Sequence, residues 1–490
     1  SLYSLIIQAP STVFGIQTGG PSTIGEATSI FYQGGVFTFS KAYANFTPKG
    51  FLASLLGMFV LAANLFRRPK PQEMLVLIWS VLILLAIYGQ NRFAYYYSIN
   101  VSILSAYLGS LLLDKVKWGE LDHKFRSTVK SPSDVPNAFK SIKIQQVLAV
   151  LAIIIFLIYP AYGSAKLQAV GSNDPNGPWT EACLWLRSNT PDPGMDFNAI
   201  YEAPKNGELF AYPDTAYGVM SWWDYGHYIE TIGHRMPDAN PFQAGVGGRR
   251  VSIDEENQPG AATFFTAQSE QEASTVLEAI DPRPDKAGAR YIMSDAKMAT
   301  DIFGAMPEWT LDTEGYYQSY WTGSGYQSIP STRYFNSMES RLHIFDGNGL
   351  KQYRMVHETE AYQTNEVGYK QVYNYLFGGK IPETNTGYVK IFEYVKGANI
   401  TGTASSNETV KISTTILTGQ GRTFEYTQST TADSQCRYEF TVPYSTEGPI
   451  AGETQFDTAP SGPYALNYGD TTKEVRVSEK AVLKGEEIKV

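Results

Sequence analysis

Residues Trp222-Trp223-Asp224-Tyr225-Gly226 place two indole N–H donors, a carboxylate acceptor and a phenol in five consecutive positions. On a strand, successive side chains point to opposite faces, so both indoles serve one site only if the chain turns there. A carboxylate beside them needs a partner if it is buried. A turn of this kind can grip a small hydroxyl-bearing side chain, meeting its donor and its acceptor together. The same residues also make an aromatic core corner closed by Gly226. Residue types alone leave both readings open.

Three further groups could carry chemistry. Glu26 ends Thr23-Ile24-Gly25-Glu26, which by itself reads as a helix start with Ser22 or Thr23 capping and an acid in the first turn. Arg92 is the lone charge in Gln90-Asn91-Arg92-Phe93-Ala94-Tyr95-Tyr96. Its planar fork matches phosphate oxygens, and it also suits a snorkelling anchor in an aromatic belt. Asp295, Met298 and Ile302 fall at i, i+3 and i+7, one face of a helix, which ordinary packing would equally explain. His227 and His234 flank the Trp pair and read as structural, since no third metal ligand is near. Cys183 and Cys436 show neither a disulfide framework nor metal spacing. Sequons stand at Asn45, Asn399 and Asn407.

These groups need elements to hold them. The chain has 490 residues, 43% hydrophobic and 18% charged, with 33 Tyr, too long for one compact domain. The mean hydropathy of −0.21 hides a split, because the long apolar runs all precede residue 165. Residues 50–66, 74–89, 93–113 and 144–163 are long and apolar enough to span a bilayer. Arg67, Arg68 and Lys70 follow the first span. Lys115, Lys117, Lys124, Arg126, Lys130, Lys140 and Lys143 follow the third. Positive-inside then puts those loops in the cytoplasm, and residues 1–49, the Arg92 loop and everything after 165 outside. The net charge of −9 argues against nucleic acid as a partner.

Beyond the spans, 180–188 and 268–280 read as helices, and 289–295 as a buried strand running into a helix near 297–306. After about residue 385, alternating segments at 388–395, 410–417, 422–428, 436–444 and 474–483 read as antiparallel strands. The expected fold is a multi-pass α-helical membrane region followed by an external mixed α/β domain and an antiparallel β domain. Its parts are an external loop (1–49), four spans (50–163), an α/β domain carrying the Trp pair (164–380) and a β-rich domain (381–490).

The pentapeptide resembles the WWDYG signature of the oligosaccharyltransferase catalytic subunit, in its archaeal form, and here too it follows the last span. Thr23 to Glu26 resembles that family's TIxE sequence in the last large external loop. The resemblance implies transfer of an oligosaccharide from a dolichol-linked mono- or diphosphate to Asn in Asn-x-Ser/Thr, at a multi-pass cell-membrane protein with its large C-terminal domain outside. It implies that Trp222, Trp223 and Asp224 bind the acceptor Ser or Thr. Asp295, Met298 and Ile302 would stand beside them, in a mixture of the family's Asp/Lys and Met/Ile patterns. Glu26 would touch the acceptor Asn or the metal site, and Arg92 the donor phosphate. The cofactor implied is Mn2+ or Mg2+, whose Lewis acidity would stabilise the leaving phosphate.

This family's metal-binding Asp-x-Asp/Glu residues lie in an N-terminal half, and no Asp-x-Asp occurs here before residue 165. The expectation is therefore a C-terminal portion, able to read the acceptor but not to catalyse alone. Two other readings keep the spans and the β-rich end: a membrane-anchored surface protein without catalysis, and a different lipid-linked-sugar glycosyltransferase.

Overall fold

The computed structural model describes residues 26, 28–33, 36–171 and 175–490, apart from 203, 206, 207, 209, 250–255, 282–286, 322, 324, 362–371, 373 and 377–385. Thr23 to Gly25 of the TIxE-like sequence lie outside the described residues. The chain divides into two compact units, Ser1–Asn173 and Asp174–Val490.

The first unit opens with a short hairpin, β1 (Tyr32–Gln33) and β2 (Val36–Phe37), then α1 (Ser40–Phe46). Next come α2 (Pro48–Arg67), α3 (Pro71–Gly89) and α4 (Ala94–Lys115), with a 3₁₀ turn (Asn91–Phe93) before α4. The Thr47 hydroxyl accepts the Gly50 N–H at 3.1 Å and caps α2, whose first residue is Pro. Two amphipathic helices, α5 (Trp118–Thr128) and α6 (Val135–Phe139), precede α7 (Ile144–Ile153), which runs through a π-helical turn (Ile154–Ile158) into α8 (Tyr159–Gly171). Four helical runs are long and apolar enough to cross a membrane, and at most 28% of each is buried within the protein. Faces this apolar and this uncovered need lipid as solvent. A side chain at Gly57 would meet the Leu104 carbonyl oxygen at 2.5 Å, so α2 and α4 approach backbone to backbone. The helices overrun the apolar segments at several ends because backbone hydrogen bonding continues past the last apolar residue.

The second unit opens with α9 (Gly177–Asn189) and is built on a five-stranded sheet. Its strands are β3 (Gly218–Met220), β4 (Met236–Pro237), β5 (Ala289–Asp295), β8 (Tyr353–Glu358) and β9 (Val389–Tyr394) in the order β4-β3-β5-β9-β8. β3 runs parallel to β4 and β5, while β9 is antiparallel to β5 and β8. Around it lie α10 (Gly226–Thr231), α11 (Ala261–Thr266), α12 (Glu270–Ile280), α13 (Ala305–Thr310), α14 (Thr332–Asn336) and α15 (Met338–His343). The hairpin β6 (Tyr317–Trp321) and β7 (Tyr326–Pro330) stands apart from the sheet. The chain then builds a β module. One sheet joins β10 (Ala398–Thr403), β13 (Arg437–Val442) and β17 (Glu487–Lys489). The other joins β11 (Thr409–Leu417), β12 (Thr423–Thr431), β14 (Ala459–Pro460), β15 (Tyr464–Tyr468) and β16 (Thr471–Val475).

At two segments the fold departs from the strand pattern of the sequence. Segment 388–395 is not the first strand of the β module: as β9 it closes the α/β sheet, with Val389, Ile391 and Phe392 in that core. The α/β part therefore extends past residue 381. Segment 474–483 is not one strand. It ends β16 at Val475 and becomes α16 (Glu479–Lys484), which Ser478 caps through the Ala481 N–H and Gly485 ends at φ 71.

Buried ion pairs join the α/β core to the β module. Arg354 on β8 bonds Glu393 on β9 at 2.7 Å and Glu479 on α16 at 2.6 Å. Asp346 receives Lys390 from β9 and Arg422 from the start of β12, each at 2.7 Å.

Candidate functional site

The Trp-rich turn hangs from the C-terminal end of β3. Trp222 is extended (φ −66, ψ 146) and leads into a 3₁₀ turn, Trp223–Tyr225, which continues as α10. A side chain on Gly226 would meet the Ala239 carbonyl oxygen at 2.3 Å and the Asn240 Cα at 2.7 Å. Only glycine lets the turn seat against that backbone. Trp222 is 1% exposed and belongs to the core. Trp223 is half-buried and Asp224 exposed, so these two present surface. The two indoles are tilted by 59° with centroids 6.4 Å apart.

Tyr225 fixes the turn from behind. Its ring stacks on Trp179 of α9 at 4.1 Å and 13°. The Trp179 Nε1–H donates to Asp295 Oδ2 at 2.7 Å, and the Tyr225 hydroxyl bonds the same carboxyl group. The Met298 N–H donates to Asp295 Oδ1 at 2.6 Å. Asp295 is 1% exposed. Burial raises its pKa, against the pull of the donors from Trp179, Met298 and Tyr225. Burial also pushes the Tyr225 phenol well up, with Asp295 adding to it.

The helical-face reading of Asp295, Met298 and Ile302 does not hold. Asp295 is the last residue of β5, and Met298–Ile302 is a π-helical turn, so the three do not follow α-helical spacing. Met298 is fully buried and its sulfur receives the Ser221 hydroxyl at 3.7 Å. Ile302 is half-buried. Asp295 and Met298 thus back the turn, and Ile302 alone of the three retains surface. Trp179 was missed by sequence reasoning: it looks like any helical Trp, and its partner lies 116 residues on.

In the first unit, Glu26 is exposed, and the segment after it is docked on the turn that carries Arg92. The Asn91 N–H donates to the Thr28 carbonyl at 2.7 Å and the Ile30 N–H to the Ile87 carbonyl at 3.2 Å. Glu26 and Arg92 both lie within electrostatic reach of the Tyr95 phenol. The structure thus brings an anion and a cation to one end of α3 and α4. Phe31, Tyr32, Phe37, Phe39 and Tyr88 cluster at that end. Among the described residues no group of three His, Cys, Asp or Glu could hold a metal ion. His227 lies 3.6 Å from Glu230, and His234 stacks on Phe197, so neither histidine joins such a group. Cys183 is buried and Cys436 exposed, both free.

Helices long and apolar enough to cross a membrane, an α/β core carrying this turn and a β module define a membrane-protein architecture with a large mixed α/β and β unit. Residues 176–299 match the AglB core domain, and residues 397–488 match the archaeal glycosylation protein B long peripheral domain. The dolichyl-phosphooligosaccharide-protein glycotransferase 3 of Archaeoglobus fulgidus is 34% identical, over 96% of this chain and 59% of its own length. The structure of an Archaeoglobus fulgidus AglB, in complex with an inhibitory peptide and a dolichol-phosphate, superposes with a TM-score of 0.77 at 31% identity, covering 100% of this chain and 63% of that one. An Archaeoglobus fulgidus oligosaccharyltransferase tethered to a peptide containing the NVT sequon gives 0.75 at 32%, with 100% and 63% covered. A complex with Zn and sulfate gives 0.71 at 31%, with 92% and 60% covered. The chain is thus similar, over nearly its whole length, to archaeal oligosaccharyltransferases and matches both AglB domain models. It spans about three-fifths of the length of these relatives.

Proposed function

We propose that this chain reads the acceptor in an oligosaccharyltransferase that moves an oligosaccharide from a dolichol-linked mono- or diphosphate to the Asn of Asn-x-Ser/Thr. The observation that carries this reading is the seated turn presenting Trp223 and Asp224 together. An Asp224 carboxylate accepts the acceptor's hydroxyl proton, and an indole N–H donates to its oxygen. The ring face of Trp223 also covers the methyl group of a Thr. Trp222, Asp295 and Met298 hold the turn, and Ile302 borders it. The names of the similar proteins, and their complexes with peptide, sequon and dolichol-phosphate, support the assignment.

Glu26 accepts from the NH₂ of the acceptor Asn, whose lone pair is otherwise delocalised into its carbonyl. Arg92 neutralises the leaving phosphate, for which its fork is suited. The basic loops after α2 and α4 support a topology with the Arg92 turn and the second unit outside the cell. A divalent metal suits this chemistry, and one neighbour is a zinc complex. The described residues do not fit one: Glu26 shares its end of the helices with a cation rather than with further carboxylates, and no group of three candidate ligands occurs among them.

The test gives the full-length enzyme a lipid-linked glycan and peptides carrying Asn-x-Thr or Asn-x-Ala. Transfer to the Thr peptide alone is expected, and equal transfer would sink the reading. Trp223→Ala should raise the peptide KM more than tenfold with the fold intact.

A further inference from the structure

The four sequons of this chain occupy very different local structures. Asn100, followed by Val101 and Ser102, is buried in the membrane-spanning helix α4, where its amide donates to the Ser80 hydroxyl at 2.9 Å. Asn45 lies in α1 and donates its amide to the Lys41 carbonyl at 3.0 Å. The hydroxyl of its Thr47 is committed to capping α2, a membrane-spanning helix. Asn399 sits within β10, between β13 and β17, and its amide donates to Glu439 at 2.6 Å. Its Thr401 hydroxyl donates to Glu487 at 2.8 Å. At Asn45 and Asn399, the amide and the hydroxyl that an acceptor must offer are already engaged.

Asn407 differs in each respect. It stands in the turn between β10 and β11, is exposed and has φ 62. Its N–H donates to the Ala432 carbonyl at 3.1 Å, the Glu408 N–H to the Ser405 carbonyl at 3.0 Å and the Ser405 N–H to the Glu408 carboxylate at 2.9 Å, so the turn is held by bonds that do not use the exposed Asn407 side chain. Asn tolerates this left-handed backbone well. Thr409 is exposed at the first position of β11. A glycan here would leave every strand pairing undisturbed, whereas one on Asn399 would have to displace Glu439.

We propose that Asn407 is a glycosylated sequon of this protein, and that Asn399 and Asn45 are not. The Asn407 amide nitrogen forms the bond to C1 of a lipid-linked oligosaccharide. The bond from C1 to the phosphate oxygen breaks, its electron pair leaves with the lipid phosphate, and the amide loses one proton to solvent. The proposal rests on the reading that the second unit faces outside. It does not require that this chain be the catalyst, because any oligosaccharyltransferase of the host can modify it.

The full chain is expressed in an archaeal host that N-glycosylates, and the tryptic peptide from Gly397 to Lys411 is weighed. A secreted glycoprotein of the host, measured in the same extract, confirms that the machinery is active. The expected result is a glycan mass on this peptide that persists in Asn399→Gln and disappears in Asn407→Gln, with the Asn45 peptide unmodified. An unmodified wild-type peptide, or a glycan that survives Asn407→Gln, overturns the proposal. Failure of the sequon-dependent peptide transfer described above, with Asn407 still modified, would count against the proposed function alone.

Discussion

Two aspartates of the second unit, the buried Asp295 and the partly buried Asp346, are treated oppositely by their surroundings. Asp346 faces Lys390 and Arg422. Burial would raise its pKa, but the two cations hold it down to about 2. Asp295 faces an indole, a phenol and a backbone N–H, all neutral, and its pKa is raised. Charges tie the β module to the core, while dipoles support the Trp-rich turn. The joint is therefore built for strength, and the turn for position. A carboxyl held by neutral donors fixes Trp179, Tyr225 and Met298 without putting a strong field beside the surface that Asp224 presents.

The largest test of this contrast is Asp346→Asn. It leaves Lys390 and Arg422 facing each other without their shared anion, and should cost about 3–5 kcal/mol in chemical denaturation of the second unit. Asp295→Asn keeps an acceptor for some of the same donors and should cost about 1–2 kcal/mol. Equal losses in the two variants would break the comparison. Trp222→Ala, which empties a core position, should cost about 3–5 kcal/mol, whereas Trp223→Ala should cost less than about 1 kcal/mol and act on acceptor binding instead.

Acid sharpens the contrast. Because the Asp346 pKa is depressed in the fold, its stabilisation is complete above the ordinary carboxylate range and is lost as pH falls toward 2. The shift from 3.8 to about 2 corresponds to about 2 kcal/mol. Asp295 runs the other way: with a raised pKa it favours the fold at low pH and disfavours it as pH climbs through its own titration. Thermal unfolding against pH should therefore show Asp346→Asn losing less stability than the wild type between pH 4 and 2. Asp295→Asn should preserve that limb and flatten the curve above it. An unchanged acid limb in Asp346→Asn would refute the assignment.

Much of this architecture was legible in the sequence because period and punctuation were strong. The four apolar runs, the strand 289–295 and the β module all follow from spacing. The failures share a cause. β9 reads like its neighbours in the β module, and only non-local pairing with β5 assigns it to the other sheet. The stretch after Asp295 looks helical, but the carboxyl bonds the Met298 N–H and the chain winds as a π turn. At the site, the Trp pair was visible from residue types. Which indole faces outward was not, because that depends on how Gly226 seats against Ala239 and Asn240.

The bond between Trp179 and Asp295 also bears on how the protein is made. Trp179, Tyr225 and Asp295 close on one another from three separate elements, and Asp295 lies 116 residues after Trp179. A chain synthesised from its N-terminus at roughly 5–20 residues per second takes on the order of 6–20 s to cover that interval. Through that time the Trp pair is already made, but the carboxyl that anchors its support is not. The turn therefore matures late, only once Asp295 has been made and has met Trp179 and Tyr225.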